Sequence, residues 1–391
     1  MTLPLITVQP DALETISEVT RGQIQRESFW ISYDDLTNPV VYGDIYVYKA
    51  NNQIELRGLG SLVARQSAPR ELIVSYNSRE WSTRFPKNSY SQLYSNPLHF
   101  TTIDVSPENQ LLILGTSNGG LQVVTADNGT VRRQLEGHFD HTVVAKFFPS
   151  GQAAVSAGID MRIKIWNLAD SSNPRTLTGH TGPPVDIAII GRGRNIVSGS
   201  TDSTIRLWEC GSGQSIHTFK CESSVTALAL ADFNRSSNEL PPKQNAPFEY
   251  DTDSKALFAA DMLKTYLFDL RSKEVQQAVN SHDITALATN GKMVVLGSKN
   301  GVVTAYDCRD LTVPLFTFTK SDQEIKQLLL RSSILTVISE DNVSISLDVS
   351  EKGGLDRPTY LITSDPVNAG VMNSHGLYFA GKNGMVRYFS S

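Results

Sequence analysis

Two stretches decide the reading of this chain. The first runs Gly137-His138, Val155-Ser156-Ala157-Gly158-Ile159-Asp160 and Ile163-Lys164-Ile165-Trp166-Asn167. The second runs Gly179-His180, Val197-Ser198-Gly199-Ser200-Thr201-Asp202 and Ile205-Arg206-Leu207-Trp208-Glu209, each landmark 42 residues after its counterpart. A fixed period of that length marks a repeat architecture, in which each unit buries its apolar faces against copies of itself. The β-branched and aromatic alternation inside each stretch is that of half-buried strands.

The Gly-His opening and the Trp-plus-polar close resemble the WD repeat, with Asn167 and Glu209 standing where Asp is usual. The resemblance implies a hydrogen-bonded tetrad in each unit. Its members are His in the d–a loop, Ser on strand b, Asp in the b–c turn and the Trp indole on strand c. Here they are His138, Ser156, Asp160 and Trp166, then His180, Ser198, Asp202 and Trp208. A His-Ser-Asp set invites a catalytic-triad reading, but its recurrence at the structural period assigns it to scaffolding.

Outward from these two units the strand pattern continues while the tetrad fades. The residue at the Trp position is Val124, Trp166, Trp208, Phe268, Tyr306, Leu347 and Phe389, at intervals of 42, 42, 60, 38, 41 and 42. The expected fold is therefore all-β, a seven-bladed WD-repeat β-propeller. Residues 231–254, rich in Asn, Ser, Pro and acids, make the one long insertion, between strands a and b of blade four. Blade seven has only three strands after its start, so residues 89–95 are expected to supply its fourth and close the ring. Asn96 takes the slot of His138 in that register.

Residues 1–82 lie outside the repeat and are expected to form a small α+β or mostly-β domain ahead of a propeller spanning 83–391. A helix is read over Asp11–Arg21, stopped at Gly22, with strands over Phe29–Tyr33, Asp44–Ala50, Gln53–Arg57 and Glu71–Tyr76 and a turn at Asn51-Asn52.

The formal net charge is -5, which argues against a general nucleic-acid binder. Cys210, Cys221 and Cys308 are too few and too scattered for a disulfide framework or a zinc knuckle. Met1 to Pro10 has neither a basic flank nor a long apolar core, so no signal peptide or membrane span is expected there, and a cytoplasmic and nuclear protein is. His138-Phe139-Asp140-His141 has a metal-like HxxH spacing but lacks a third ligand. With no phosphate-binding glycine loop or Cys pair either, the expectation is no catalysis, no metal and no cofactor. What remains is an acidic rim on the d–a and b–c loops of blades four to seven. Asp261, Asp283, Asp322, Glu324, Glu340, Asp341 and Asp365 stand there against Lys299, Lys320 and Lys382. Such a rim draws in a basic partner and speeds its docking.

Over Lys146 to Phe219 the resemblance narrows. Phe147-Phe148-Pro149-Ser150-Gly151 and Asn173-Pro174-Arg175-Thr176-Leu177, with Thr204-Ile205-Arg206-Leu207-Trp208-Glu209-Cys210-Gly211, look like the proteasomal ATPase-associated factor family. The resemblance implies a monomeric WD-repeat chaperone of proteasome regulatory-particle assembly. Such a chaperone holds the C-terminal domains of proteasomal ATPase subunits of the 19S base through acidic propeller loops. Asp283, Asp322, Glu324, Glu340, Asp341 and Asp365 are the candidate contacts by position and charge. Two rivals are a generic scaffold and a substrate receptor of a cullin-RING ubiquitin ligase. The second rests on Phe268-Asp269-Leu270-Arg271 and Tyr306-Asp307-Cys308-Arg309, which resemble an adaptor-binding Trp-Asp-x-Arg box without its Trp.

Overall fold

A computed structural model describes residues 2–50, 53–58, 60–91, 99–232, 248–341, 343–350 and 355–390. Within it the repeat forms seven sheets, blades one to seven, whose own strands pair antiparallel and run a to d in sequence order in blades one to six. They cover residues 100–135, 142–177, 184–220, 225–280, 284–319, 325–361 and 367–390, the last completed by 88–91. Every residue at the Trp position lies on a strand c, and all but Tyr306 are buried.

The sequence of each strand follows its place in the blade. Strands b, such as Asn195–Ser200 and Met293–Ser298, are buried at every position, because neighbouring blades cover both their faces. Strand d of blade one, Val131–Leu135, is exposed at four of five positions and carries Arg132, Arg133 and Gln134. Side chains on strands a tie blade to blade. Phe147 N–H donates to Asp104 at 2.7 Å, Lys146 Nζ to Asp186 at 3.0 Å, and Thr285 Oγ1 to the Ile325 carbonyl at 2.7 Å. Gln327 exchanges two bonds with Gly370, and Asn368 Nδ2 donates to the Phe100 carbonyl at 2.8 Å, joining blade seven to blade one.

Asn88–Ser91 pairs antiparallel with strand c of blade seven, Met385–Ser390, setting Tyr90 opposite Val386. A strand from before blade one thus completes the last blade, leaving no open edge at that junction. Residues 92–95 and Asn96 of the expected closing segment lie outside the described residues, as do Asn51-Asn52 and most of the blade-four insertion.

The N-terminal segment is built differently from a free-standing unit. Leu5–Val8, Arg26–Asp34, Val41–Ala50 and Gln53–Gly58 form a four-stranded antiparallel sheet. The helix Ala12–Arg21 lays Ala12, Ile16 and Val19 into the core. It ends at Gly22 (φ 75°), past which the Gln23 N–H returns to the Glu18 carbonyl. The next three strands, Leu62–Ala68, Glu71–Tyr76 and Arg79–Arg84, join the sheet of blade six, Arg79–Arg84 running parallel to Thr359–Leu361. A boundary at residue 82 therefore falls inside a strand shared with the propeller. Strand d of blade six is only three residues long, and Arg79–Arg84 covers its outer edge. Leu3 N–H also donates to the Thr319 carbonyl, and the Tyr360 hydroxyl donates to the Pro4 carbonyl. Ile6, Phe29, Ile31 and Val47 share one apolar core with Phe318, Leu347 and Tyr360 of blades five and six.

Candidate protein-binding face

The two tetrads are complete. Trp166 Nε1–H donates to Ser156 Oγ at 2.8 Å, and His138 Nε2 lies 2.8 Å from the same oxygen; because the Asp160 carboxylate can only accept, the proton of a neutral His138 is on Nδ1 and Ser156 donates to Nε2. The Nδ1 proton is given to Asp160 at 2.9 Å. Blade three repeats the chain through Trp208, Ser198, His180 and Asp202 at 2.8, 2.7 and 2.9 Å. Gly137 and Gly179 precede the histidines at φ 157° and 147°, a backbone conformation that side-chain-bearing residues rarely adopt, and a Cβ on Gly137 would lie 3.1 Å from the Trp166 ring, so both the backbone and the packing favour Gly before His. Burial lowers both histidine pKa values despite the carboxylates beside them. Burial raises the Asp202 carboxyl, but bonds from Thr204, the Thr181 N–H and His180 outweigh it and hold it at about 2. Every tetrad hydroxyl and ring nitrogen is hydrogen-bonded inside its blade, so neither tetrad offers a free nucleophile.

The acidic rim divides when its side chains are followed to their partners. Asp341 is not a free rim charge. Buried Lys320 donates to both its oxygens at 2.7 Å, and Ser339 Oγ and the Val343 N–H donate to it as well. Burial works against the charged carboxylate, but Lys320 outweighs it and keeps the Asp341 pKa low; the Lys320 pKa is itself lowered by burial. Lys320 and Asp341 thus leave the rim together, forming blade six's substitute for a tetrad. The sequence held the signal, since Asp341 stands six residues before its marker Leu347, as Asp160 and Asp202 stand before Trp166 and Trp208. Asp261 is likewise internal, accepting from the N–H groups of Ser223, Leu263 and Lys264 and from the Tyr266 hydroxyl.

Asp283, Asp322 and Glu340 are exposed and Glu324 partly so, and no cation pairs with any of them among the described residues. The Glu340 N–H donates to the Glu324 carbonyl at 2.9 Å, which holds the d–a and b–c loops of blade six together. Asp283 lies on the neighbouring loop of blade five, beside exposed Lys299, whose N–H donates to its carbonyl. Asp365, on blade seven, sits 3.4 Å from Arg387 and is partly neutralised. Sequence reasoning missed the exposed apolar side chains in these loops. Phe139 (80% exposed), Ile159 and Met161 come from the d–a and b–c loops of blade two, and Met262 and Leu263 from the b–c turn of blade four. Their signal was available: Ile159 and Met161 flank Asp160 where blade three has Thr201 and Ser203.

Other chemistry is thin. Among the described residues no group of three or more His, Cys, Asp and Glu is arranged to hold a metal. Burial pushes the thiols of Cys210 and Cys221 up to about 12 and that of Cys308 to about 11, far from reactive. Arg309 folds back onto Asp307 through two bonds of 2.9 and 2.7 Å, so the adaptor-box arginine of blade five is locally occupied.

The WD domain, G-beta repeat family matches residues 129–167 and 171–209. Over 287 residues the chain is 33% identical to the 26S proteasome regulatory subunit RPN14 of Saccharomyces cerevisiae, covering 68% of this chain and 69% of that protein. The chain belongs to the proteasomal ATPase-associated WD-repeat factor family. A second relative, proteasomal ATPase-associated factor 1 of Gallus gallus, is 27% identical over 130 residues, 31% of this chain and 32% of its own. Among solved structures, that of U3-55K superposes with a TM-score of 0.66 at 14% identity, over 78% of this chain and 99% of that one. That likeness speaks to the propeller fold alone.

Proposed function

We propose that this chain is a non-catalytic assembly chaperone that holds the C-terminal domain of a proteasomal ATPase subunit while the 19S regulatory-particle base is assembled. It acts as a monomer, without cofactor, in the cytoplasm and nucleus. The observation that carries the reading is the set of unneutralised carboxylates on blade six, Asp322, Glu324 and Glu340, with Asp283 beside them on blade five. Loops fixed by a rigid propeller present these charges without the ordering cost that a mobile acidic tail incurs on binding. Such a field steers a basic domain into place, and because it is exposed its contribution falls with salt, which suits a partner that has to leave. Asp365 contributes less, being shared with Arg387.

The test is a pull-down with tagged full-length chain from cells assembling proteasomes. Recovery of free ATPase subcomplexes without mature 26S particles is the expected result. Recovery of a cullin and its adaptor, or of neither class, overturns the proposal.

A further inference from the structure

We propose that the outward face of the N-terminal sheet is a second protein-docking surface. Its partner is a polypeptide segment that sets a carboxylate against Arg26 beside an aromatic or aliphatic anchor. The strands Arg26–Asp34, Val41–Ala50 and Gln53–Gly58 alternate in the ordinary way, and Phe29, Ile31, Ile45 and Val47 go to the core. The opposite face is not the polar surface such a sheet usually shows to water. It carries Trp30, Tyr42, Tyr46 and Tyr48, with Tyr42 72% exposed and Trp30 38%.

Register makes these residues one patch. Trp30 is opposite Asp44, Ser28 opposite Tyr46, and Tyr46 opposite Arg57. The Arg26 guanidinium lies 4.2 Å from the Tyr46 ring centre and 5.8 Å from that of Tyr48, while Arg57 lies 5.3 Å from Tyr48. Arg57 is held by Glu55 at 2.7 Å; no carboxylate pairs with Arg26 among the described residues. The planar Arg26 guanidinium lies over the tyrosine rings, and its edge is the fork that suits a carboxylate. Single exposed apolar residues need no explanation, but aromatic and arginine side chains gathered on one rigid face are the composition of an interface hot spot. A nucleic acid is disfavoured, because Asp44 and Glu55 share the face and would repel its phosphates. The charge pattern instead asks for an acidic group over Arg26 and tolerates a basic one over Asp44. None of these residues belongs to the propeller loops of the acidic rim, so the surface and its test are independent of the chaperone reading.

The experiment displays random peptides on phage against the immobilised full-length chain, with counter-selection on the W30A/Y46A double variant. Expected are enriched peptides that carry a carboxylate next to an aromatic or aliphatic residue. Their synthetic forms should lose about tenfold or more in affinity for the Tyr42→Ala and Arg26→Glu chains, as loss of a hot-spot contact implies. Replacing the peptide carboxylate by Lys should restore binding to Arg26→Glu. No enrichment over the counter-selecting chain, or equal affinity for Arg26→Glu, overturns the proposal. Tyr42→Ala, at a site this exposed, keeps the fold out of the comparison.

Discussion

Asp322 and Asp341 lie on neighbouring loops of blade six, and in the sequence they are equal charges. In the structure one faces water and the other is gripped by Lys320, Ser339 and the Val343 N–H. Removing one partner of a buried pair strands the other charge. Asp341→Ala should therefore cost about 3–5 kcal/mol in urea unfolding, whereas Asp322→Ala should stay within about 0.5 kcal/mol. Similar costs for both would mean that the Lys320 pair is not what holds blade six. The tetrad histidines set a pH dependence. Their folded pKa values are lowered from the ordinary 6.5, so as pH falls through that value the unfolded chain takes up protons before the folded one does. Stability is then full above about pH 6.5 and is lost progressively below it. A second proton on His138 would go to Nε2 and end the bond that Ser156 now donates there. Thermal midpoints that fall between pH 7 and pH 5, less steeply in the His138→Gln chain, are the expected measurement.

Strands within a blade pair with their neighbours in sequence, and their residues announce it, from the fully buried run of Met293–Ser298 to the exposed Val131–Leu135. The strands that join distant parts do not announce themselves. Arg79–Arg84 reads as polar, yet it covers the edge of Thr359–Leu361 in parallel, a pairing that no turn or short-range pattern encodes. For the closing strand, counting back through the repeat points to residues 89–95, and the strand in the structure is Asn88–Ser91. Its hold on blade seven includes Tyr90, which packs against the core between blades seven and one. Tyr90→Ala should speed amide exchange along Met385–Ser390 while leaving Asn195–Ser200 in blade three protected. Uniform loosening of both segments would show that the ring opens as a whole rather than at its closure.

At the scale of the whole molecule, the described residues set exposed carboxylates on blades five and six apart from the aromatic–arginine face of the N-terminal sheet. Reversing Asp322, Glu324 and Glu340 to Lys should weaken binding of an ATPase C-terminal domain and flatten its dependence on salt, with thermal unfolding unchanged. Unaltered affinity would move the contact to another face. By itself the sequence determined the repeat, the blade count and the two tetrads, because a 42-residue period and a Gly-His-to-Trp spacing are local facts repeated along the chain. Only the tertiary structure decided which acids are free, since charge is a property of the residue but exposure depends on what folds beside it. The same holds for the N-terminal strands that share a sheet with blade six. Arg79–Arg84 finds Thr359 through a contact between parts of the chain whose separation follows no period, and the spacing that places Asp341 at the tetrad position does not by itself say that Lys320 buries there to claim it.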